Sequence, residues 1–223
     1  MADRFQPLRT QVKLLGSILG QVIVKQEDQL TLDLIEKIRR LSKDARGGQQ
    51  ESWTQLAQEL KTLPLPKMLP IARSFAHFLA LANVAEQHHR VRRRRDYLFQ
   101  DQTQPESLAA MIPTLLEQGF DAQHVKETLQ SLQIELVLTA HPTEVNRRTL
   151  LQKYQSIQEV LSSLDQTPPS FHHQYQQELE RLITEIWCTD EVHRSKPSPL
   201  DEARAGLLIF ENSLWEAVPK YLR

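Results

Sequence analysis

Residues 136–149 read LVLTAHPTEVNRRT, and the histidine in that stretch is the strongest chemical signal in the chain. Pro142 crowds the helical backbone of the residue before it, so His141 is expected to be extended. The proline's own fixed φ suits the first turn of a helix. Glu144 would then fall in that first turn, where the helix dipole favours a carboxylate. The run Glu135–Thr139 is short, apolar and bounded, and reads as a strand. His141 is therefore expected where a strand ends and a helix begins, the edge at which α/β architectures bind ligands. Free amides at a helix start form a ready anion site. Arg147 and Arg148, about two turns in, could pair with a carboxylate or phosphate. An imidazole with an ordinary pKa of about 6.5 moves protons near neutrality. The ensemble suits an anionic substrate and an acid/base histidine. A plainer reading is also open: a histidine that satisfies a nearby backbone group, beside arginines of which at least one is solvated because helix neighbours diverge.

The elements that would position this junction are mostly helical. Leu8, Val12, Leu15, Leu19 and Val22 form one apolar stripe, and Leu30, Leu34, Ile38 and Leu41 a second. The second helix should close at Lys43 and Arg46, with Gly47-Gly48 beyond. A weaker helix spans about residues 51–63. Pro64, Pro66 and Pro70 should break the pattern before a long helix over about 71–95. Pro105 marks the edge of another helix, and Asp121 is a candidate N-cap for one reaching about Leu132. After the junction, Leu150, Tyr154, Ile157, Leu161 and Leu164 share a face, and Pro168-Pro169 end that helix. The next holds Leu179, Leu182, Ile183 and Ile186. Ser198-Pro199-Leu200-Asp201 resembles a helix start, and Leu207, Phe210, Leu214 and Val218 form the last stripe. The fold class is mainly α. One strand cannot satisfy its own backbone or bury both faces, so its partners are expected outside these residues.

Composition narrows the class of protein. A net charge of −1 leaves no overall field to attract nucleic acid or an anionic membrane. The single cysteine, Cys188, cannot form an internal disulfide, which fits a reducing compartment. The N-terminus lacks the apolar core of a signal peptide, and no stretch approaches the ~18 consecutive apolar residues of a membrane span. A cytoplasmic protein without nucleic-acid or membrane partners is expected. The run from His88 to Arg95 could contact phosphates, but a solvated helix end or an inter-subunit contact accounts for it better. His172, His173 and His193 read as surface residues rather than a metal set. Cys188 reads as an inert thiol, and Trp187, Phe210 and Trp215 as core.

The motif TAHPTEVNRRT resembles the histidine signature of phosphoenolpyruvate carboxylases. So do the TDE, SKPSP, DEA and ENSLW elements of residues 187–223, and the segments LRTQVKLLGSILGQVI, IEKIRRLSKDARGG and ARSFAHFLALANVAEQHH, in the family's order. The resemblance implies carboxylation of phosphoenolpyruvate by bicarbonate, an anaplerotic fixation giving oxaloacetate and phosphate with Mg²⁺ or Mn²⁺. It implies an elaborated TIM-type barrel, with residues 1–134 a helical N-terminal region and 135–223 the incomplete start of the catalytic barrel. His141 would hold and protonate the region of carboxyphosphate, the intermediate formed alongside an enolate. Arg147 and Arg148 would bind substrate. Asp190, Glu191 and Arg194 would support the active-site side. The metal ligands, catalytic lysine and mobile loop of the family find no match here and are expected downstream. The chain is therefore expected to be an N-terminal portion, inactive alone, of an allosteric homotetramer. The competing expectation is a non-catalytic helical scaffold that binds anions through the basic run.

Overall fold

The computed structural model describes residues 3–133, 135, 148–190 and 198–221. Among these residues there are ten α-helices and no strand, which agrees with a mainly α chain. The helices are α1 (Gln6–Gln26), α2 (Gln29–Arg46), α3 (Gln50–Lys61), α4 (Leu65–Phe99), α5 (Leu108–Glu117), α6 (Ala122–Ser131), α7 (Arg148–Gln166), α8 (His172–Trp187), α9 (Pro199–Ile209) and α10 (Trp215–Tyr221). The expected strand at 135–139 falls outside the described residues, except for Glu135, which has no regular structure.

The chain divides into two compact units. One comprises Met1–His89 and Thr149–Thr189, the other Arg90–Arg148 and Asp190–Arg223. Residue 134, at the expected domain boundary, lies outside the described set. Beyond it in sequence, α7 and α8 belong to the first unit together with α1–α3.

The first unit has a continuous core. α1 packs on α2 and α8, and α2 packs on α3. The stripe of α1 is buried at Leu15, Leu19 and Val22, with Leu8 and Val12 packed at its edge. Gly16 lets α1 approach α4 closely: a Cβ there would stand 3.2 Å from the Phe78 ring.

In α2 the buried face is Thr31, Ile35, Ile38, Leu41 and Ala45, while Leu30 is exposed. The expected stripe is thus turned by a residue at its start. The cause is polar. The Asp28 carboxylate caps the helix by accepting from the Thr31 amide at 2.6 Å and the Thr31 hydroxyl at 2.7 Å. Lys67 of α4 donates to both Asp28 (2.7 Å) and Thr31 (2.5 Å), so the pair faces α4. These hydrogen bonds, that of Lys67 first, hold the Asp28 carboxyl down at about 2. The C-terminus of α2 follows expectation, with Gly48 in the left-handed region at φ 96°.

α4 differs from expectation at both ends. It starts at Leu65 rather than at Ile71. Pro66 lies in the first turn, where a missing N–H costs nothing, and Pro70 forfeits only one internal bond. It then continues to Phe99, so the basic run is not a helix end. By length and composition α4 could cross a membrane, its most apolar window having a mean hydropathy of 1.3. In the first unit, however, its apolar stripe is buried in a protein core.

In the second unit, local rules are obeyed but burial is absent among the described residues. Asp121 caps α6 by accepting from the His124 amide at 3.0 Å, as expected. Ser107 caps α5, and the Pro105 signal lies just outside it. Ser198 and Asp201 form a reciprocal capping box at the start of α9. Phe210 and Trp215, expected in the core, are exposed, Trp215 to 81%. A π-helical turn at Phe210–Leu214 separates α9 from α10.

Leu161 is fully buried in α7, whereas Leu207 of α9 is 61% exposed. Leu161→Ala should lower the unfolding free energy by roughly 2–5 kcal/mol. Leu207→Ala should stay within about 0.5 kcal/mol of the parent. Urea titrations followed by circular dichroism compare them, and equal costs would contradict this placement of the core.

Candidate functional site

His141 and Arg147 lie outside the described residues, as does the side chain of Arg148, whose backbone opens α7. The structure therefore describes the frame to which this motif is attached. α7 follows the motif directly and is anchored almost at once: Leu150 is buried, then Ile157 and Leu161 on the same face, with Tyr154 packed beside them. Lys153 makes an ion pair with Glu185 of α8, and this holds the Glu185 carboxyl below its usual range.

The second expected element begins where α8 ends. Trp187 is buried and Cys188 takes the C-cap position in helical backbone, without a glycine to turn the chain. The last carbonyls of a helix have no partners within it. Arg73, from α4, supplies them: it donates to the carbonyl oxygen of Trp187 and, at 3.1 Å, to that of Thr189. Its guanidinium carbon lies 5.1 Å from the centre of the Trp187 ring, a cation–π distance. Asp190 follows immediately and is exposed. Glu191 and Arg194 lie outside the described residues. Cys188 is exposed, its Sγ 3.6 Å from Gln26 Oε1.

Sequence reasoning missed the buried histidines. The sequence reads His88 and His89 as part of a solvated helix end or an inter-subunit contact, yet both are buried residues of α4. His88 Nε2 lies 2.8 Å from Asp165 Oδ2 of α7, and Gln11 of α1 donates to the other oxygen of that carboxylate at 3.5 Å. His77 sits with its ring centre 5.8 Å from that of Trp187 and its Nδ1 3.4 Å from the Tyr154 hydroxyl. Burial, with the Arg73 cation adding to it, lowers its pKa to about 4, so it is neutral at ordinary pH. The signal was present as phase. Ile71, Ser74, His77, Leu81, Val84 and His88 recur every three or four residues, so the histidines continue the apolar stripe. Further along α4, Arg93 does lie against an aromatic ring, that of Tyr97 at 5.7 Å.

The remaining histidines bear on metal binding. His172 is half-buried with Nε2 3.0 Å from the Thr167 carbonyl oxygen, His173 is exposed, and His193 lies outside the described residues. Among the described residues no group of three His, Cys, Asp or Glu side chains could hold a metal ion. These residues therefore do not fit a resident Mg²⁺ or Mn²⁺.

Comparison with known proteins gives the class. The family model for phosphoenolpyruvate carboxylase matches residues 8–223. A phosphoenolpyruvate carboxylase of Ectopseudomonas mendocina (strain ymp) is 46% identical over 228 residues, covering 100% of this chain and 26% of that protein. Those of Acinetobacter baylyi and Pseudomonas paraeruginosa are each 44% identical, covering 97% of this chain and 25% of theirs. The chain belongs to the phosphoenolpyruvate carboxylase family. It spans about a quarter of the length of the curated relatives it matches.

The His77 environment has a measurable consequence. As pH falls, the unfolded chain takes up a proton on this imidazole near 6.5, whereas the native state does so only near 4. The stabilisation is complete above about pH 6.5 and is lost progressively down to pH 4. The expected loss is on the order of 2–3 kcal/mol. In His77→Gln this part of the pH dependence should disappear. Denaturant unfolding at pH 7 and pH 4.5 measures the difference, and parallel pH profiles would disprove it.

Proposed function

We propose that this chain forms the N-terminal part of a phosphoenolpyruvate carboxylase that converts phosphoenolpyruvate and bicarbonate to oxaloacetate and phosphate. The observation that carries the reading is the family match over residues 8–223 with TAHPTEVNRRT inside it. In this reading residues 135–223 begin the catalytic barrel, and His141 stands at the mouth of its first strand. Bicarbonate attacks the phosphorus of phosphoenolpyruvate, giving carboxyphosphate and an enolate. His141 holds and protonates the carboxyphosphate region as it breaks down to CO₂ and phosphate, and the enolate then captures the CO₂. Arg147 and Arg148 supply cationic donors to the anionic substrates. Water must be kept out, because an enolate beside bulk water would be protonated to pyruvate.

Mg²⁺ or Mn²⁺ would neutralise anionic oxygens in this reaction. Its ligands are assigned to sequence beyond residue 223, as the resemblance to the family implies. The complete enzyme is read as a cytoplasmic, allosteric homotetramer, which the family membership supports.

In the protein of family length, His141→Ala should reduce oxaloacetate formation at least a hundredfold, the lower range for losing a positioned acid/base group. The far-ultraviolet circular dichroism should be unchanged. A coupled assay with malate dehydrogenase reads the rate; undiminished turnover would instead favour a scaffold role for this region. The 223 residues alone should produce no oxaloacetate, and turnover by them would show that the metal ligands lie within this sequence.

A further inference from the structure

We propose that Arg73 is a positioning residue for the catalytic centre: its guanidinium sets the path by which the chain leaves α8 toward Asp190 and the TDE segment. The inference rests on the functional reading above and adds a role for a residue in the N-terminal helices, far from the histidine motif in sequence.

The argument begins with what α8 lacks. Helices commonly stop on a glycine in the left-handed region, whose amide and the next one bind the last carbonyls. α8 stops on Cys188 in helical backbone; the Cys188 and Thr189 amides bond to the carbonyls of Thr184 and Ile186, and the Thr189 hydroxyl donates to that of Glu185 at 2.6 Å. The two carbonyl oxygens at the exit, those of Trp187 and Thr189, are instead bound by one side chain from α4, more than 110 residues earlier in sequence. A planar guanidinium can bridge two acceptors in a fixed geometry, which a lysine ammonium, a point charge, cannot reproduce. Its positive charge also lies at the negative end of the α8 dipole.

The guanidinium is itself held. It lies over the Trp187 ring, and the buried His77 also packs against that indole. Arg73 and His77 are one turn apart on α4, so a single face of α4 grips both the last side chain of α8 and its exit carbonyls. Ile71, Ser74 and His77 fill the core at this level, whereas Arg73 is only half-buried. Removing its donors should therefore leave the packing intact and free the exit. Asp190 is the next residue, and a small misplacement of active-site support lowers the rate far more than it lowers stability.

The test uses the protein of family length, with Arg73→Met to keep the length without donors and Arg73→Lys to keep the charge without the fork. Expected for Arg73→Met is a fall in kcat of about tenfold or more, with KM for phosphoenolpyruvate within twofold and the melting temperature nearly unchanged. Hydrogen exchange should rise at the amides of residues 186–190 and not in α7 or the first half of α8. Arg73→Lys should recover only part of kcat. Wild-type kcat and exchange in Arg73→Met would overturn the proposal, as would a loss of activity that tracks a lowered melting temperature with exchange rising throughout α1, α7 and α8. If the parent enzyme makes no oxaloacetate, the functional reading fails separately, and the exchange pattern, which needs no turnover, decides the clamp.

Discussion

Everything described in the first unit depends on the burial of α7 and α8 against α1 and α4. Leu15, Leu81, Ile157, Leu161, Leu179 and Ile183 are all essentially removed from water, and each such side chain contributes roughly 1.5–3 kcal/mol. The contribution is non-directional, but close packing makes it specific in position. It locates the first residue of α7, to which the histidine motif is joined, and the last turn of α8, from which the TDE segment departs. Both stretches are thus joined to helices anchored in this core.

That core admits polar groups only on terms. A buried polar group without a partner costs several kcal/mol, roughly 1–3 by mutational measures. His88 meets Asp165, Lys67 reaches Asp28 and Thr31, and Ser74 donates to the Ile71 carbonyl. His77 meets the Tyr154 hydroxyl and the Trp187 ring, and burial keeps it neutral. These contacts choose partners where hydrophobic burial alone would not. They join α1, α2, α4 and α7 in one register.

The described residues of the second unit show what local rules decide by themselves. Asp121, Ser107 and Ser198 start their helices as side-chain caps should. Yet none of the described residues there is buried. Helix propensity and capping decide that a segment is helical, while tertiary packing decides which face is covered.

The sequence by itself determined the helices, most of their caps and the family. The spacing of Leu15, Leu19 and Val22 is periodic, the Ser198–Asp201 box is local, and TAHPTEVNRRT is a contiguous string, so each could be read along the chain. His141 was legible only as a motif, and its surroundings fall outside the described residues. The start of α4 differs from the sequence expectation because Pro66 sits where its missing donor is harmless, and Phe210 differs because a stripe does not say whether anything covers it. Only the tertiary structure decided that His77 and His88 are core, that Thr31 rather than Leu30 faces inward, and that Arg73 holds the end of α8. Those facts depend on groups separated by up to 116 residues, and no periodicity within one helix specifies which distant carbonyl or carboxylate will arrive beside it.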